Sequence, residues 1–202
     1  MTGASIVAIG ASWGGLSAVS ELLAGLRSDF PAPLVVVQHR SRNGDNLLAS
    51  LLQDSTELRV VDVEDKEPLE AGAIYVAPAN YHLLVEPGHL SLTTDPHVRF
   101  SRPSIDVTFT SAADVYQNRT IGIVLTGAND DGARGLRHIV DCGGHALIQD
   151  PATAESATMP LAASHLVPEA EIAPLARMAD RLLALLGPQT PASPRAAEAR
   201  TQ

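Results

Sequence analysis

Five short apolar segments recur along the chain, with helical patterns between them. The segments are residues 6–10, 34–38, 73–77, 120–127 and 145–149. They are rich in valine and isoleucine and alternate little, which is typical of parallel strands buried on both faces. Between them, two helical patterns place apolar side chains on one face: Leu16, Val19, Leu22, Leu23 and Leu26 in the first, and Leu47, Leu48, Leu51 and Leu52 within residues 46–53 in the second. The alternation predicts an α/β fold with a doubly wound, mostly parallel sheet flanked by helices.

Two segments depart from this rhythm. Residues 82–99 contain HLLVE and HLSLT on either side of Pro87-Gly88, which predicts a small antiparallel β-hairpin insertion. Residues 187–202 are rich in Pro, Ala and Ser and lack apolar periodicity, so we expect a disordered tail there. Residues 1–186 are then expected to form one domain.

Composition excludes several classes of protein. The single cysteine among 202 residues rules out an intrachain disulfide, and one cysteine with scattered histidines makes no metal site by spacing alone. A net charge of -9 argues against nucleic-acid binding, which depends on clustered Lys and Arg. No segment approaches the roughly 18 apolar residues of a membrane span. We expect a soluble, cytoplasmic protein that binds no nucleic acid and inserts into no membrane.

Polar side chains follow three of the predicted strands. Ser12 comes after the first strand and His39 after the second, and the loop after the long later strand contains Asp130 and Asp131. In an open parallel sheet, ligands bind beyond the carboxyl ends of the strands, where these residues would meet. A serine, a histidine and an aspartate supply the nucleophile, base and orienting group of acyl-transfer hydrolysis. Spacing alone does not choose between Asp130 and Asp131.

Each of these residues also has a simpler interpretation. A serine before a helix is commonly an N-cap, which fits Ser12 taken alone. His39 alone would be a polar residue at a strand end, and an aspartate before Gly132 would form an Asx-turn. Among the other histidines, His165 is the strongest rival for the base. The histidines in or near the hairpin are expected to be solvated: His82, His89 and His97.

A dinucleotide-binding protein of the Rossmann type is one alternative. Gly10 and Gly15 match the outer glycines of a G-x-G-x-x-G fingerprint, but Ser12 replaces the middle one. No acidic residue closes the second strand; Arg40 and Arg42 stand there and would at most favour the 2′-phosphate of NADP. This alternative is therefore weakly supported.

An α/β-hydrolase is a second alternative, since residues 10–14 satisfy G-x-S-x-G. In that fold the nucleophile sits well into the chain, and the acid precedes the histidine. Here Ser12 follows the first strand and His39 precedes Asp131, so the chain order argues against it.

The order Ser12, His39, Asp131 belongs to a pattern that covers about residues 6–183. The matching segments are GAS and GG within 10–15, QH at 38–39, GAIYVAPANYHLLV at 72–85, RPSIDVTFTSAA at 102–113, GIVLTGANDDGARGL at 122–136, GGHALIQDPATA at 143–154 and MP at 159–160. In this order and spacing the motifs are highly specific. The sequence resembles the catalytic domain of the chemotaxis protein-glutamate methylesterases, the CheB family.

The resemblance implies a serine hydrolase with Ser12 as nucleophile, His39 as base and Asp131 as the residue that orients the base. It selects Asp131 because the family's aspartate immediately precedes the Gly-Ala of a T-G-x-x-x-D-G-A loop. The family hydrolyses γ-glutamyl methyl esters on the cytoplasmic helices of methyl-accepting chemoreceptors, which releases methanol, and can deamidate certain receptor glutamines. It uses no metal or organic cofactor. The resemblance thus implies a methylesterase catalytic domain over residues 1–186, with a protein substrate and no cofactor.

Two departures from the family pattern lie at the site. Trp13 stands where the family commonly has a small or hydroxyl residue, and our hypothesis is that it walls the substrate entrance. Ala128 and Asn129 stand where the aspartate loop commonly has Met and Gly. A backbone N–H of that loop is a candidate oxyanion donor, so the resemblance does not determine the oxyanion hole.

A further departure concerns regulation. Family members usually carry an N-terminal receiver domain, which this sequence lacks, so we expect a catalytic fragment or, slightly favoured, a stand-alone esterase. A separate response regulator is then the expected regulator, and a monomer the expected state. A non-catalytic module that binds receptor helices is the remaining alternative, and the presence of Ser12, His39 and Asp131 argues against it.

Overall fold

The structure is built on a seven-stranded parallel sheet. The computed structural model describes residues 5–40 and 47–187. In these ranges the strands are β1 (Ile6–Ala11), β2 (Leu34–Gln38), β3 (Arg59–Asp62), β4 (Glu67–Pro68), β5 (Ala73–Val76), β6 (His82–Glu86), β7 (His89–Thr93), β8 (Thr120–Val124), β9 (His145–Gln149) and β10 (Glu171–Ala173). The large sheet has the order β10-β9-β8-β1-β2-β5-β3, with all adjacent pairs parallel. A three-stranded antiparallel sheet, β4-β7-β6, lies beside it.

Helices cover both faces of the large sheet. The described ranges contain α1 (Gly15–Ala24), α2 (Leu48–Gln53), α3 (Ile105–Tyr116), α4 (Ala133–Asp141), α5 (Thr158–Leu166) and α6 (Met178–Leu186). Successive strand residues point to opposite faces. Val7 and Ile9 of β1 therefore pack with α1, α2 and α6, whereas Ile6 and Ala8 pack with α3, α4 and α5. Because both faces are covered, the central strands show continuous apolar runs in the sequence.

The predicted fold class is confirmed, including the doubly wound parallel sheet and the hairpin. All five predicted strands are present, and the turn at Pro87-Gly88 joins β6 to β7. Three further strands, β3, β4 and β10, were not predicted from the sequence. These are short strands of two to four residues, too short for a clear apolar run. The expected disordered tail lies outside the described residues from position 188 onward, and Arg42 and Asn46 lie outside them as well.

The predicted inward faces of the first two helices are partly wrong. Leu16, Leu47 and Leu51 are 39%, 54% and 46% exposed, whereas Leu48 and Leu52 are buried. α2 has six residues, which is less than two turns, so its contact with the sheet is a narrow stripe rather than a broad face. In the part of the chain that is described, no helix has the length and apolarity needed to cross a bilayer.

Asp106 joins the beginnings of α3 and α4. It lies in the first turn of α3, and its Oδ1 accepts hydrogen bonds from the backbone N–H groups of Gly132 (2.9 Å) and Gly135 (2.8 Å) at the start of α4. Gly132 has φ +95°, and a Cβ there would lie 2.7 Å from Ile105 Cγ2. Glycine at this position therefore permits both the left-handed backbone and the close approach of the helices. Burial raises the pKa of Asp106, and the nearby Asp131 charge adds to this effect.

We predict that Asp106→Ala lowers the free energy of unfolding by about 2–4 kcal/mol, because it leaves two buried N–H groups without an acceptor. Asp106→Asn should cost less than half as much, because one amide oxygen can accept both bonds and the variant removes a buried charge near Asp131. Urea denaturation of both variants measures the difference. Equal destabilisation by the two substitutions would contradict the capping role.

Candidate active site

The residues after β1, β2 and β8 meet where the strand order of the sheet reverses. β1 lies between β2 and β8, so the sheet extends from it in both directions. Open α/β sheets bind ligands at such a switch point, beyond the carboxyl ends of the strands. Backbone hydrogen bonds continue past the strand ends: Ser12 donates to Thr126 (2.9 Å), and His39 donates to Ala11 (3.0 Å). These bonds extend the sheet pairing to the two residues and fix Ser12 and His39 on adjacent segments.

The structure places Asp131, not Asp130, against the imidazole of His39. The distance from His39 Nε2 to Asp131 Oδ2 is 2.8 Å, and the side chains are 12% and 0% exposed. Asp130 is exposed and its carboxylate pairs with Arg99. An ionised carboxylate only accepts hydrogen bonds, so Nε2 carries the hydrogen and Nδ1 of the neutral ring has the free lone pair. Nδ1 is thus the atom of His39 that can take up a proton.

The Asp131 carboxylate sits at the N-terminus of α3. It accepts hydrogen bonds from Ser104 Oγ (2.9 Å) and from the backbone N–H groups of Ile105 (2.7 Å) and Asp106 (3.1 Å). Burial by itself raises the pKa of Asp131, but the hydrogen bonds from His39, Asp106 and Ile105 outweigh burial and leave this pKa below its ordinary value. Asp131 is therefore ionised at neutral pH and holds the ring of His39 in one tautomer.

The turn that carries Ser12 is fixed through its carbonyl groups. Gln38 Nε2 donates to the carbonyl oxygens of Ser12 (2.7 Å) and His39 (3.1 Å), and Thr126 Oγ1 donates to that of Trp13 (2.9 Å). Gly14 follows with φ +75°, a conformation that disfavours a side chain, and leads directly into α1. The turn therefore presents Ser12 at the beginning of a helix.

Ser12 and His39 line one cavity of about 440 Å³ together with Trp13, Gln38 and Ala128. The cavity is open to solvent, and the Trp13 side chain on its wall is 66% exposed. The backbone N–H groups of Trp13 and Ala128 donate to no other described residue. Because both residues line the cavity, their amides are candidate donors to a ligand oxygen.

All four hairpin-region and rival histidines can be compared with the predictions, and His97, expected to be solvated, is half-buried. The prediction that His82 is solvated is wrong: it is 1% exposed, and its Nδ1 accepts a hydrogen bond from the Ser104 N–H (3.2 Å). The residue was misread because it begins a strand whose inner face packs on α3. His89 is half-buried, with Nδ1 3.3 Å from the Pro87 carbonyl oxygen. The rival base His165 is exposed on α5 and does not line the cavity that contains Ser12.

Three further side chains support the site without having been predicted to do so: Gln38, Ser104 and Gln149. Gln149 Oε1 accepts the N–H of Thr126 (2.8 Å), the residue that holds the Trp13 carbonyl. All three lie in motifs that the sequence analysis recognised, and all three are buried. For Gln38 and Gln149, a polar side chain at the end of an apolar strand was the available signal, since a buried polar group needs a partner.

A second cluster of polar side chains lies away from the cavity. Donor atoms of Asp114, His138 and Cys142 lie within 4.8 Å of one another. His138 Nε2 is 2.7 Å from Asp114 Oδ1, and Asp114 is exposed. The hydrogen bond between the histidine and the carboxylate accounts for the two groups without a metal ion.

Comparison with known proteins identifies the family of the chain. The family model described as CheB methylesterase matches residues 7–182. The chain belongs to the CheB methylesterase family. The crystal structure of the Thermotoga maritima CheB methylesterase catalytic domain superposes with a TM-score of 0.86 at 31% identity, covering 91% of this chain and 100% of that one.

The chain covers different shares of the length of two relatives. A relative from Leptospira interrogans is 44% identical over 158 residues, which are 78% of this chain and 82% of that protein. The Myxococcus xanthus protein-glutamate methylesterase FrzG is 40% identical over 179 residues, which are 88% of this chain and 54% of that protein. The chain thus spans about half the length of the Myxococcus relative.

We predict that Asp131→Asn destabilises the fold by about 2–4 kcal/mol at neutral pH, because an amide presents a donor to groups that already donate. The folded pKa of Asp131 lies below the unfolded value of about 3.9, so its stabilisation is present above that pH and is lost as pH falls through the folded pKa. The difference between wild type and variant should therefore shrink in acid.

Urea denaturation at neutral pH and at about pH 3 measures this difference on either side of the unfolded pKa. Asp130→Asn, a change on the exposed neighbour, is the matched control, and its effect should be small at both pH values. A difference for Asp131→Asn that stays constant across this range would contradict the assignment of an ionised, hydrogen-bonded Asp131.

Proposed function

We propose that this chain is a protein-glutamate methylesterase that hydrolyses γ-glutamyl methyl esters on the cytoplasmic helices of methyl-accepting chemoreceptors. The observation that carries the proposal is the His39–Asp131 hydrogen bond of 2.8 Å beside the cavity that Ser12 lines, in a chain of the CheB methylesterase family. Several relatives carry the paired name protein-glutamate methylesterase/protein-glutamine glutaminase. Deamidation of receptor glutamines is therefore a second reaction that we assign to the same site.

The first half of the reaction transfers the glutamyl group to the enzyme. His39 Nδ1 takes the proton of Ser12 Oγ as the oxygen attacks the ester carbonyl, and Asp131 stabilises the imidazolium that forms. The bond from the carbonyl carbon to the methoxy oxygen then breaks. The leaving oxygen receives the proton from Nδ1 and departs as methanol, which leaves a glutamyl ester on Ser12.

The second half returns the enzyme to its starting state. Water attacks the acyl-enzyme while Nδ1 takes a proton from it, and the Ser12 oxygen recovers that proton as the acyl bond breaks. The free backbone N–H groups of Trp13 and Ala128 are the donors that we assign to the oxyanion of both tetrahedral intermediates. A donor in the turn before α1 and a donor in the aspartate loop then act on the same oxygen.

The surroundings of the cavity suit a protein substrate. Trp13 and Leu16 on the cavity wall are exposed, and Phe100 is fully exposed beside a second cavity of about 360 Å³ that also borders His39. Exposed aromatic and aliphatic groups around a polar centre are typical of a surface that binds another macromolecule. The face of a receptor helix that carries the methylated side chain would cover them.

The two alternatives gain less support. A dinucleotide would need room for its pyrophosphate at the start of α1, where Trp13 forms the wall of the cavity. A module that only binds receptor helices would have no use for a buried carboxylate that fixes the tautomer of His39. The expected monomer and the expected regulation by a separate response regulator stay predictions.

We predict that the purified chain releases methanol from receptor membranes labelled with radioactive methyl groups. Ser12→Ala should reduce the rate by at least about a thousandfold, because the substitution removes the oxygen that attacks the ester carbonyl. Ser164→Ala is the matched control, since Ser164 lies on α5 and does not line the cavity that Ser12 lines, and its rate should be unchanged. No release by wild type would contradict the activity, and equal release by Ser12→Ala would contradict the nucleophile.

A fluorophosphonate probe gives a test of the nucleophile that does not require a receptor. The probe should phosphonylate Ser12, and mass spectrometry should locate the adduct on the peptide that contains it. His39→Gln should slow labelling, because the serine then lacks its base.

We predict that Trp13→Thr raises KM for receptor substrate by about tenfold, which corresponds to losing part of one exposed aromatic contact. Because Trp13 lies on the cavity wall and its side chain is not hydrogen-bonded to His39 or Asp131, kcat should change by less than about threefold. Steady-state kinetics on receptor membranes measure both constants. An unchanged KM would show that Trp13 does not contact the substrate.

A further inference from the structure

Asn129 is the one residue of the aspartate loop whose side chain reaches the base from the side opposite the carboxylate. Its Oδ1 accepts the backbone N–H of Asp131 at 3.2 Å, and its Nδ2 lies 3.4 Å from His39 Nδ1. The residue is half-buried. Asp131 thus contacts one ring nitrogen of His39 while Asn129 contacts the other.

The orientation of the Asn129 amide follows from its partners. A backbone N–H can only donate, so the atom that faces the Asp131 N–H must be the amide oxygen. The NH₂ group therefore faces Nδ1, which is unprotonated because Nε2 donates to Asp131. A separation of 3.4 Å is longer than the usual range of about 2.7–3.2 Å. The contact is weak enough for the NH₂ group to change partners when substrate binds.

A turn accounts for one of the two contacts of the Asn129 side chain. The bond from the Asp131 N–H to the Asn129 oxygen is an Asx-turn, which an aspartate would form equally well. It does not account for a donor group directed at the proton-accepting nitrogen of the base. The turn therefore does not explain why position 129 has an asparagine and not an aspartate.

The leaving group must come to the same place. In the reaction proposed above, the leaving atom receives its proton from Nδ1 and so must lie within hydrogen-bond distance, about 2.6–3.2 Å, of it. With Nδ2 only 3.4 Å from Nδ1, one atom can lie within hydrogen-bond distance of both nitrogens. The NH₂ group of Asn129 therefore borders the site of the leaving group.

We propose that Asn129 makes the site prefer methyl esters over carboxamides by donating a hydrogen bond to the leaving oxygen. This inference rests on the proposed function. The methoxy oxygen of the tetrahedral intermediate has two lone pairs. One takes the proton from His39 Nδ1 as the bond from carbon to oxygen breaks, and the other accepts the N–H of Asn129. The donor stabilises the negative charge that develops on this oxygen as methanol leaves.

The leaving nitrogen of a glutamine side chain cannot use this donor. In the tetrahedral intermediate it has one lone pair, which takes the proton from Nδ1, and its other two bonds are N–H bonds. After the bond from carbon to nitrogen breaks, it leaves as ammonia. The NH₂ group of Asn129 then meets N–H groups and forms no hydrogen bond with them. Turning the amide over would break its bond to the Asp131 N–H.

The test compares two substrates that differ only in the leaving group. Membranes with one receptor carry either glutamyl methyl ester or glutamine at the same position, and methanol and ammonia release give kcat/KM for each. We expect the ratio of ester to amide kcat/KM to fall about tenfold in Asn129→Ala, the effect of one lost hydrogen bond of about 1.4 kcal/mol. A general structural defect would lower both rates and leave the ratio unchanged.

Two more variants separate the donor from the loop. Asn129→Asp keeps the Asx-turn and removes the donor, so it should also lower the ratio. Asp130→Ala alters the same loop on its exposed side and should leave the ratio at the wild-type value. A ratio that stays within about twofold of wild type in both Asn129 variants would overturn the inference, since that is the range expected for an energetically neutral change.

The outcomes distinguish this inference from the proposed function. Ester hydrolysis by wild type with an unchanged ratio in the Asn129 variants overturns the role of Asn129 and leaves the esterase assignment standing. An equal fall in Asp130→Ala also overturns it, because the effect would then belong to the loop. Release of neither methanol nor ammonia by wild type overturns both proposals together.

Discussion

The carboxylate of Asp131, held at the N-terminus of α3, is the contact on which the site depends. It receives hydrogen bonds from a hydroxyl, two backbone N–H groups and His39. Asp106, on the first turn of α3, accepts hydrogen bonds from two backbone N–H groups at the start of α4. The two aspartates thus hold the two helices together and orient the base. A shift of α3 against α4 would therefore also move the imidazole.

Asp131 and Asp106 both lose hydration on burial, but they differ in the hydrogen bonds that replace it. Asp131 has four donors that include an imidazole, and its pKa lies below the ordinary value despite burial. Asp106 has two donors and lies near the Asp131 charge, so burial raises its pKa. The two pKa values therefore shift in opposite directions, down for the aspartate that contacts His39 and up for the aspartate that caps α4. The two carboxylates thus interact with the N-termini of two helices, Asp131 with that of α3 and Asp106 with that of α4.

Local patterns predicted the centre of the fold better than its edges. The five buried strands and the hairpin follow from apolar runs and a Pro-Gly turn, because burial on both faces leaves a continuous signal. The short strands β3, β4 and β10 have no such run. Leu16 and Leu47 were misassigned because periodicity identifies a helix face but does not say where the sheet ends beneath it. His82 was misassigned because its partners, Ser104 and Pro96, are distant in sequence.

The sequence by itself determined the residue types at the strand ends and the family pattern that joins Ser12, His39 and Asp131. Strand ends are local features, and parallel strands bring them to one edge whatever the details of packing. Tertiary structure alone decided which imidazole nitrogen faces the carboxylate, how Gln38 and Ser104 support the site, and that Asn129 reaches the other ring nitrogen. These contacts join residues as many as 92 positions apart. Hydrogen-bond geometry of this kind depends on how loops and helices approach one another, which local periodicity does not encode.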